Sequence, residues 1–358
     1  MNFDFSDESR LLRDQARRFL AERSPPALAR AALAATPPDL AALWRDMAAL
    51  GWLDPGIGAE AVCVLAEALG RALTPLPHLT GICLAAEAIA RFASPAQRDA
   101  WLPRIAAGTA RATFALAEGT GDPGPNAVAA ELRAGRVTGE KYPVPDAMEA
   151  EVVVIAARAG GEVVLALLDP AGPGVTRAPV AMLDPGLPHG RLVLDAAPAE
   201  RLPGARGFGD IAALLDRAAV PAAFAALGGA EVALEAAVAY AKERHAFGRP
   251  IGSFQAIKHK LADVYVAVEL ARSNAWYACW ALDRDGAALP LAASTAKVSA
   301  DAAFFLAAKE NIQTHGGIGF TWDADPHLYY RRAQVLAAVL GGPRYWRERT
   351  VAALETMN

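Results

Sequence analysis

Arginine, aromatic and glycine residues fall close together between Tyr240 and Asp263, where the chain reads YAKERHAFGRPIGSFQAIKHKLAD. Arg244, Phe247 and Gly248 stand at the end of one long helical pattern, and Ser253 opens the next as a favoured N-cap residue. Such a corner suits an anionic ligand. The first turn of a fresh helix offers N–H groups with no helical acceptor, and a guanidinium keeps its charge at any physiological pH. The competing reading is a plain helix–turn–helix corner. No residue pattern suggests a metal centre: the six histidines include no His-x-x-x-His pairing, and the cysteines no Cys-x-x-Cys. Cys63, Cys83 and Cys279 lie singly in apolar helical patterns, as small buried hydrophobes of a reducing compartment.

The elements that hold this stretch change period along the chain. Residues 1–110 read as an N-terminal α-helical domain. Ser6 caps its first helix, Pro38-Asp39 precede another with Leu43, Met47 and Leu50 on one face before Gly51, and Ser94-Pro95-Ala96-Gln97 is a capping box whose helix ends at Gly108. Residues 111–206 read as a small β-domain, with short β-branched runs from Thr113 to about Leu202. Val152 to Ala157 and Val163 to Leu168 form a hairpin about Ala159-Gly160-Gly161, and Val175-Thr176 and Leu192-Val193-Leu194 are further strands. Residues 207–358 read as a C-terminal four-helix bundle. Its first helix carries a small-residue seam (Ala218, Ala222, Ala225, Gly229, Val232, Ala236, Ala239), and its second repeats Phe254, Ile257, Leu261, Val264, Val268, Ala271 and Ala275 at threes and fours. A third helix follows Pro290 to about His315, and a fourth takes up the end.

With 358 residues, 54% hydrophobic and 21% charged, the chain is long enough to bury a sizeable core. A net charge of −4 gives no footprint for nucleic acid or an anionic membrane, so any bound anion must be held by local groups. The N-terminus lacks a basic n-region and an apolar h-region, and no apolar run reads as long enough to cross a bilayer. The expected compartment is cytoplasmic.

The pattern Tyr240-x-x-x-Arg244-x-x-Phe247-Gly248-x-Pro250-Ile251-x-x-Phe254-Gln255, followed by Leu261-Ala262-Asp263, resembles a signature of the acyl-CoA dehydrogenase family of FAD enzymes. A second signature stands as Gln313-Thr314-His315-Gly316-Gly317-Ile318-Gly319-Phe320-Thr321, leading into Tyr330-Arg331-Arg332-Ala333, and the opening FDFSDESRLLRDQARRFLAER is similar to the family's first helix. The resemblance implies a mainly α fold with a central, barrel-like β-domain between an N-terminal helical domain and a C-terminal four-helix bundle. It also implies FAD, held at its two ends by different subunits. On the matching positions Arg244 would pair with the pyrophosphate, Phe247, Phe254 and Gln255 would line the dinucleotide site, and Gln313, Gly316 and Gly317 would meet the adenine end. The competing readings are a solvated helix-end cation for Arg244, an ordinary helix stop for Gly316-Gly317 and a bundle residue for Phe254. His245 and His315 are expected as surface or hydrogen-bonding residues.

The catalytic half departs from the family. Members remove the α-proton of an acyl-CoA with a glutamate while the β-hydrogen leaves as hydride to the flavin. Where that glutamate commonly stands this chain has Leu340, and at the alternative position it has Ala218 and Ala219 beside Arg217. The usual Thr-Glu-Pro-x-Ala-Gly-Ser-Asp stretch appears as Ala117-Glu118-Gly119-Thr120-Gly121-Asp122, and the Trp-Ile-Thr segment as Tyr142-Pro143-Val144-Pro145, whose prolines lack donors. Glu118 is a substitute base or a solvated turn carboxylate. These losses fall on one side of the cofactor, which implies a non-catalytic subunit that completes the FAD site of a homologous partner carrying the glutamate. It resembles subunits of the heterotetrameric α2β2 enzymes of steroid side-chain CoA thioesters, in which the partner binds most of the acyl-CoA and electrons pass to a separate acceptor. The rivals are an autonomous flavoenzyme with a relocated base and a structural paralogue without FAD.

Overall fold

The computed structural model describes residues 6–33, 38–284 and 286–356. Phe3 to Phe5 of the N-terminal motif lie outside them. In chain order the described helices are α1 (Asp7–Arg23), α2 (Pro26–Ala31), α3 (Ala41–Ala49), α4 (Ala59–Arg71), α5 (Glu87–Phe92), α6 (Pro95–Ala106), α7 (Phe208–Glu243), α8 (Gln255–Arg284), α9 (Leu289–His315), α10 (Pro326–Leu336) and α11 (Pro343–Glu355). The strands are β1 (Ala112–Ala115), β2 (Glu131–Arg133), β3 (Arg136–Pro145), β4 (Val152–Ala159), β5 (Glu162–Leu168), β6 (Val175–Val180), β7 (His189–Arg201), β8 (His245–Ala246) and β9 (Arg249–Pro250). The chain forms two compact units, one of Met1–Pro38, Ala59–Pro75 and Ala219–Asn358, the other of Asp39–Gly58 and Leu76–Ala218.

In the first unit the caps read from sequence take their expected form at α1, where the Ser6 hydroxyl accepts from the Ser9 N–H at 3.2 Å. The α4 and α7 backbones meet almost without intervening side chains. A Cβ on Gly70 would lie 2.0 Å from the Ala225 carbonyl oxygen, and one on Gly228 would lie 2.1 Å from that of Glu67. Small residues allow this approach, but the buried line is rotated along the helix from the seam read in the sequence. Ala226, Ala230, Ala233, Ala237 and Ala241 are buried, whereas Ala239 is exposed. The seam of α8 is buried as read at Leu261, Val264, Val268, Ala271 and Ala275. Charged groups tie the helices together: buried Glu67 accepts from Arg17 at 2.9 Å and Arg272 at 3.1 Å, and Arg71 reaches Glu231 at 2.5 Å and Glu235 at 2.9 Å.

Three expectations are corrected here. The single final helix is two, α10 and α11, because Gly341, in the left-handed conformation, and Pro343 interrupt it. Ser253 does not cap α8: its hydroxyl donates to the Pro250 carbonyl at 2.7 Å within a short 3₁₀ turn, and Phe254, in an extended conformation, stands before the first helical residue. Finally, α7 and α9 are long and apolar enough by composition to cross a membrane, although most of each apolar stretch is buried inside the fold.

The second unit holds the sheet. Strands β4, β2, β3, β7 and β5 pair in succession and β5 pairs back to β4, so the sheet closes on itself, with β1 beside β4 and β6 beside β7. The predicted hairpin is β4–β5, in antiparallel register from Val153↔Leu168 to Ala159↔Glu162. Val137, Val144, Val153, Ile155, Val164, Ala166, Leu192 and Leu194 fill its core. The capping box at Ser94 and Gln97 is complete. His78–Ala86, which carries no helical stop or cap signal, is a π-helical segment packed on β1. Cys63, Cys83 and Cys279 are buried, and none is in a disulfide among the described residues.

Candidate functional site

At one end of the first unit the chain turns from α7 to α8 through a miniature ribbon in which β8 pairs with β9. The two-residue loop is Phe247-Gly248, and both residues have positive φ, +53° and +80°. That is the backbone of a type I′ turn, which glycine adopts freely and phenylalanine does not. The turn thrusts Phe247 into solvent, 95% exposed. The corner is closed by the Ile251 N–H donating to the Arg244 carbonyl at 2.8 Å, and Gly252 packs against Ala241, where a Cβ would come within 2.9 Å of the carbonyl oxygen. Phe254 is half-buried, edge-on to Phe247 at 6.2 Å and covered by the Arg249 guanidinium at 4.2 Å. Gln255, the first residue of α8, is exposed.

The second motif arrives at the same corner. Tyr240, near the end of α7, stacks on His315, the last residue of α9, with ring centroids 4.2 Å apart. His315 also bonds the Asn311 carbonyl at 2.9 Å, and His245 bonds that of Glu243 at 3.0 Å, so both histidines are engaged with main chain. Gln313, Gly316 and Gly317 are exposed beside this stack. Gly316 caps α9 with φ +65°, which fulfils the helix-stop reading for that residue. Gly317 has no left-handed φ, and a Cβ there would meet nothing within 4 Å. Nothing within the chain requires glycine at this position; bare main chain facing open space suits a ligand that approaches closely.

Cations dominate the corner although the chain as a whole is acidic. Lys242, Arg244, His245, Arg249, Lys258, His259 and Lys260 are all exposed there, against Glu243 and Asp263. The Arg244 side chain makes no ion pair among the described residues; Lys260 lies 3.5 Å from Glu310. A diphosphate fits this environment: a free planar donor fork, further cations beside it, and a helix N-terminus. Sequence reasoning did not single out the flanking lysines or the Tyr240–His315 stack. The first needed only a local count of charges; the second could not be seen without the parallel run of α7 and α9.

The positions of the expected catalytic groups offer no such chemistry. Leu340 is 2% exposed between α10 and α11, and Ala218 is fully buried within α7. Arg217 is paired to Glu87 at 2.6 Å. In the second unit the Glu118 carboxylate accepts from the Ala129 N–H at 2.7 Å, the Ala130 N–H at 3.0 Å and the fully buried Lys141 ammonium at 2.5 Å. Burial pulls Lys141 down to about 8, against the pull of Glu118. The carboxylate thus ties the Ala117–Gly119 segment to Ala129–Ala130 and to β3, and three donors that favour its ionised form make it a weak base. Tyr142 N–H and C=O are both paired to the Ala117–Gly119 segment, and Pro143 and Pro145 offer no N–H.

Comparison with known proteins bears on the whole chain. The acyl-CoA dehydrogenase N-terminal domain model matches residues 6–109, and the C-terminal domain model matches residues 205–353. The chain belongs to the acyl-CoA dehydrogenase family. It is similar to the acyl-CoA dehydrogenase IpdE2 of Mycobacterium tuberculosis, 33% identical over 94% of either chain. Among solved structures it superposes on a variant of the Tcur3481–Tcur3483 steroid acyl-CoA dehydrogenase with TM-score 0.88 and 31% identity, covering 98% of each chain. It also superposes on the ChsE4–ChsE5 complex of Mycobacterium tuberculosis with TM-score 0.89 and 27% identity over 99% of each chain. The fold is the acyl-CoA dehydrogenase fold, and the chain is an oxidoreductase of that family, whose typical cofactor is FAD.

Proposed function

We propose that this chain is the non-catalytic subunit of a heteromeric acyl-CoA dehydrogenase and completes the FAD site of a homologous partner that supplies the glutamate base. The observation that carries the reading is the contrast between two sets of positions. Arg244, Phe247, Gln255, Gln313 and Gly317 are exposed and converge on one cationic corner, whereas both glutamate positions hold buried aliphatic groups, Leu340 and Ala218. In this reading Arg244 pairs with the pyrophosphate of the partner's FAD, Phe247, Phe254 and Gln255 line its course, and Gln313, Gly316 and Gly317 meet the adenine. When bound, FAD would supply the hydride acceptor, and the partner's carboxylate would take the proton. Both similar solved structures named above carry two protein names, and one is described as a steroid enzyme. We extend both features to this chain: a mixed tetramer, and a bulky steroid-type acyl-CoA held mainly by the partner, with electrons passing on to a separate acceptor.

The test is flavin absorbance and native mass of the chain produced alone and produced together with a homologous acyl-CoA dehydrogenase chain that carries the glutamate. A colourless chain alone, and a yellow mixed assembly with one FAD per pair of chains, is the expected result. A fully flavinylated, active assembly of this chain by itself would overturn the proposal, and the base would then have to be found within this chain.

A further inference from the structure

Between the 3₁₀ turn of Gly316–Phe320 and α10 the chain forms a short strap, residues 321–325. It is pinned at both ends: the Thr321 hydroxyl donates to the Ile318 carbonyl at 2.7 Å, and Asp325 pairs with Arg30 of α2. Between the pins Trp322 lies over His327, with ring centroids 5.5 Å apart and planes 14° from parallel. The indole is 56% exposed and the imidazole beneath it 6%. Both imidazole nitrogens, Nδ1 and Nε2, are shut from solvent and hydrogen-bond to nothing among the described residues.

That cover is costly. A neutral imidazole carries one donor and one acceptor, and each of them, left dry, forfeits its hydrogen bond to water. An imidazolium would be worse placed. Arg331, one turn further along α10, and Arg30 of α2 face it with like charge, as does the positive end of the α10 dipole, and Asp325 of the strap opposes them. Burial first, and then the two arginines, hold His327 below the usual histidine range. Lifting Trp322 returns both nitrogens to water, where a histidine takes its proton at about pH 6.5. The covered form thus excludes a proton that the uncovered form accepts, and acid favours uncovering.

We infer that residues 321–325 are a lid opened by acid, with Trp322 as the cover and His327 as the proton acceptor that holds it open. The strap leads on from the turn that carries Gly316 and Gly317, so its opening frees the chain just beyond the cationic corner. No subunit partner or cofactor enters this device.

Amide hydrogen exchange of the full chain at pH 7.5 and pH 5.5, read by mass spectrometry and corrected for the intrinsic pH dependence of exchange, tests the lid. Protection of residues 321–328 is expected to fall at least fivefold on acidification, while protection within α9 stays unchanged. H327F keeps an aromatic stack and cannot take the proton, so its protection should be equal at the two pH values. W322A removes the cover and should be poorly protected at both. Equal protection of the wild type at the two pH values overturns the lid, as does a fall in H327F as large as in the wild type. A matching fall across α9 would make the loosening global and overturn it too, and wild-type protection of W322A at pH 7.5 would show that the indole is not the cover. Should H327F melt early, H327Q decides: protection independent of pH supports the lid, and a fall of wild-type size overturns it.

Discussion

Among single side chains, Arg244 bears on cofactor retention and Asp146 on pH dependence. Loss of the Arg244 guanidinium removes a charged, many-donor contact and nothing inside the fold, since it makes no ion pair among the described residues. R244A should therefore melt within about 0.5 kcal/mol of wild type, and the mixed assembly should lose its flavin on gel filtration. Glu118→Gln tests the rival base: it should cost stability through the Lys141 pair while leaving dehydrogenase turnover of the mixed assembly unchanged. Asp146 governs pH dependence. Its carboxyl is buried and hydrogen-bonded to Thr80, and burial raises it to about 7, with Arg111 opposing and Glu149 adding to the shift. A raised carboxyl binds its proton more tightly when folded, so its contribution is full at low pH and is lost as pH rises through about 7. The span is on the order of 4 kcal/mol at most. Asp146→Asn, which keeps the left-handed backbone accessible, should flatten the difference in urea midpoint between pH 5 and pH 8. Gly316 and Gly317 were legible only as a pair from sequence; their roles divide because one is needed by the helix end and the other faces open space.

At the scale of elements, the α4–α7 contact and its ion network decide whether the first unit holds together. Gly228→Ala would drive a Cβ into the Glu67 carbonyl at 2.1 Å, backbone against backbone, with no flexible side chain to yield. A loss of about 3 kcal/mol in chemical denaturation is expected. Glu67→Ala would leave Arg17 and Arg272 with Glu231 as their remaining shared acceptor, and a loss of about 2 kcal/mol is expected. The helices around these contacts were readable from apolar period and caps, because both are local properties of the chain. The rotation of the α7 seam was not: a helix this rich in alanine has small residues on every face, and only its neighbours choose among them. Ser253 was misread for a related reason. A hydroxyl at a corner can serve the helix ahead or the turn behind, and here the Pro250 carbonyl takes it.

At the scale of the molecule, the proposed heteromer rests on the contrast between the exposed corner and the buried positions of the expected glutamate. The cationic corner is exposed and the glutamate positions are filled with aliphatic carbon, so the prediction of one FAD per pair of unlike chains concerns the assembly. Restoring a carboxylate alone, as in Leu340→Glu, should yield no independent activity. The Tyr142–Pro145 stretch still lacks the donors a flavin ring would meet, and a buried glutamate without partners would itself destabilise the bundle.

The amino-acid sequence by itself determined the succession of helical, β and helical segments, the family signatures and the absence of a carboxylate at the two positions where the resemblance places the glutamate. Each is a matter of residue type and short-range spacing. Tertiary structure alone decided that the two signatures meet, through Tyr240 on His315, that Glu118 is held by Ala129, Ala130 and Lys141, and that Arg30 of α2 pins the strap at Asp325. Those outcomes depend on which surfaces pack together across long separations in the chain, and a residue type carries no mark of which distant neighbour will meet it.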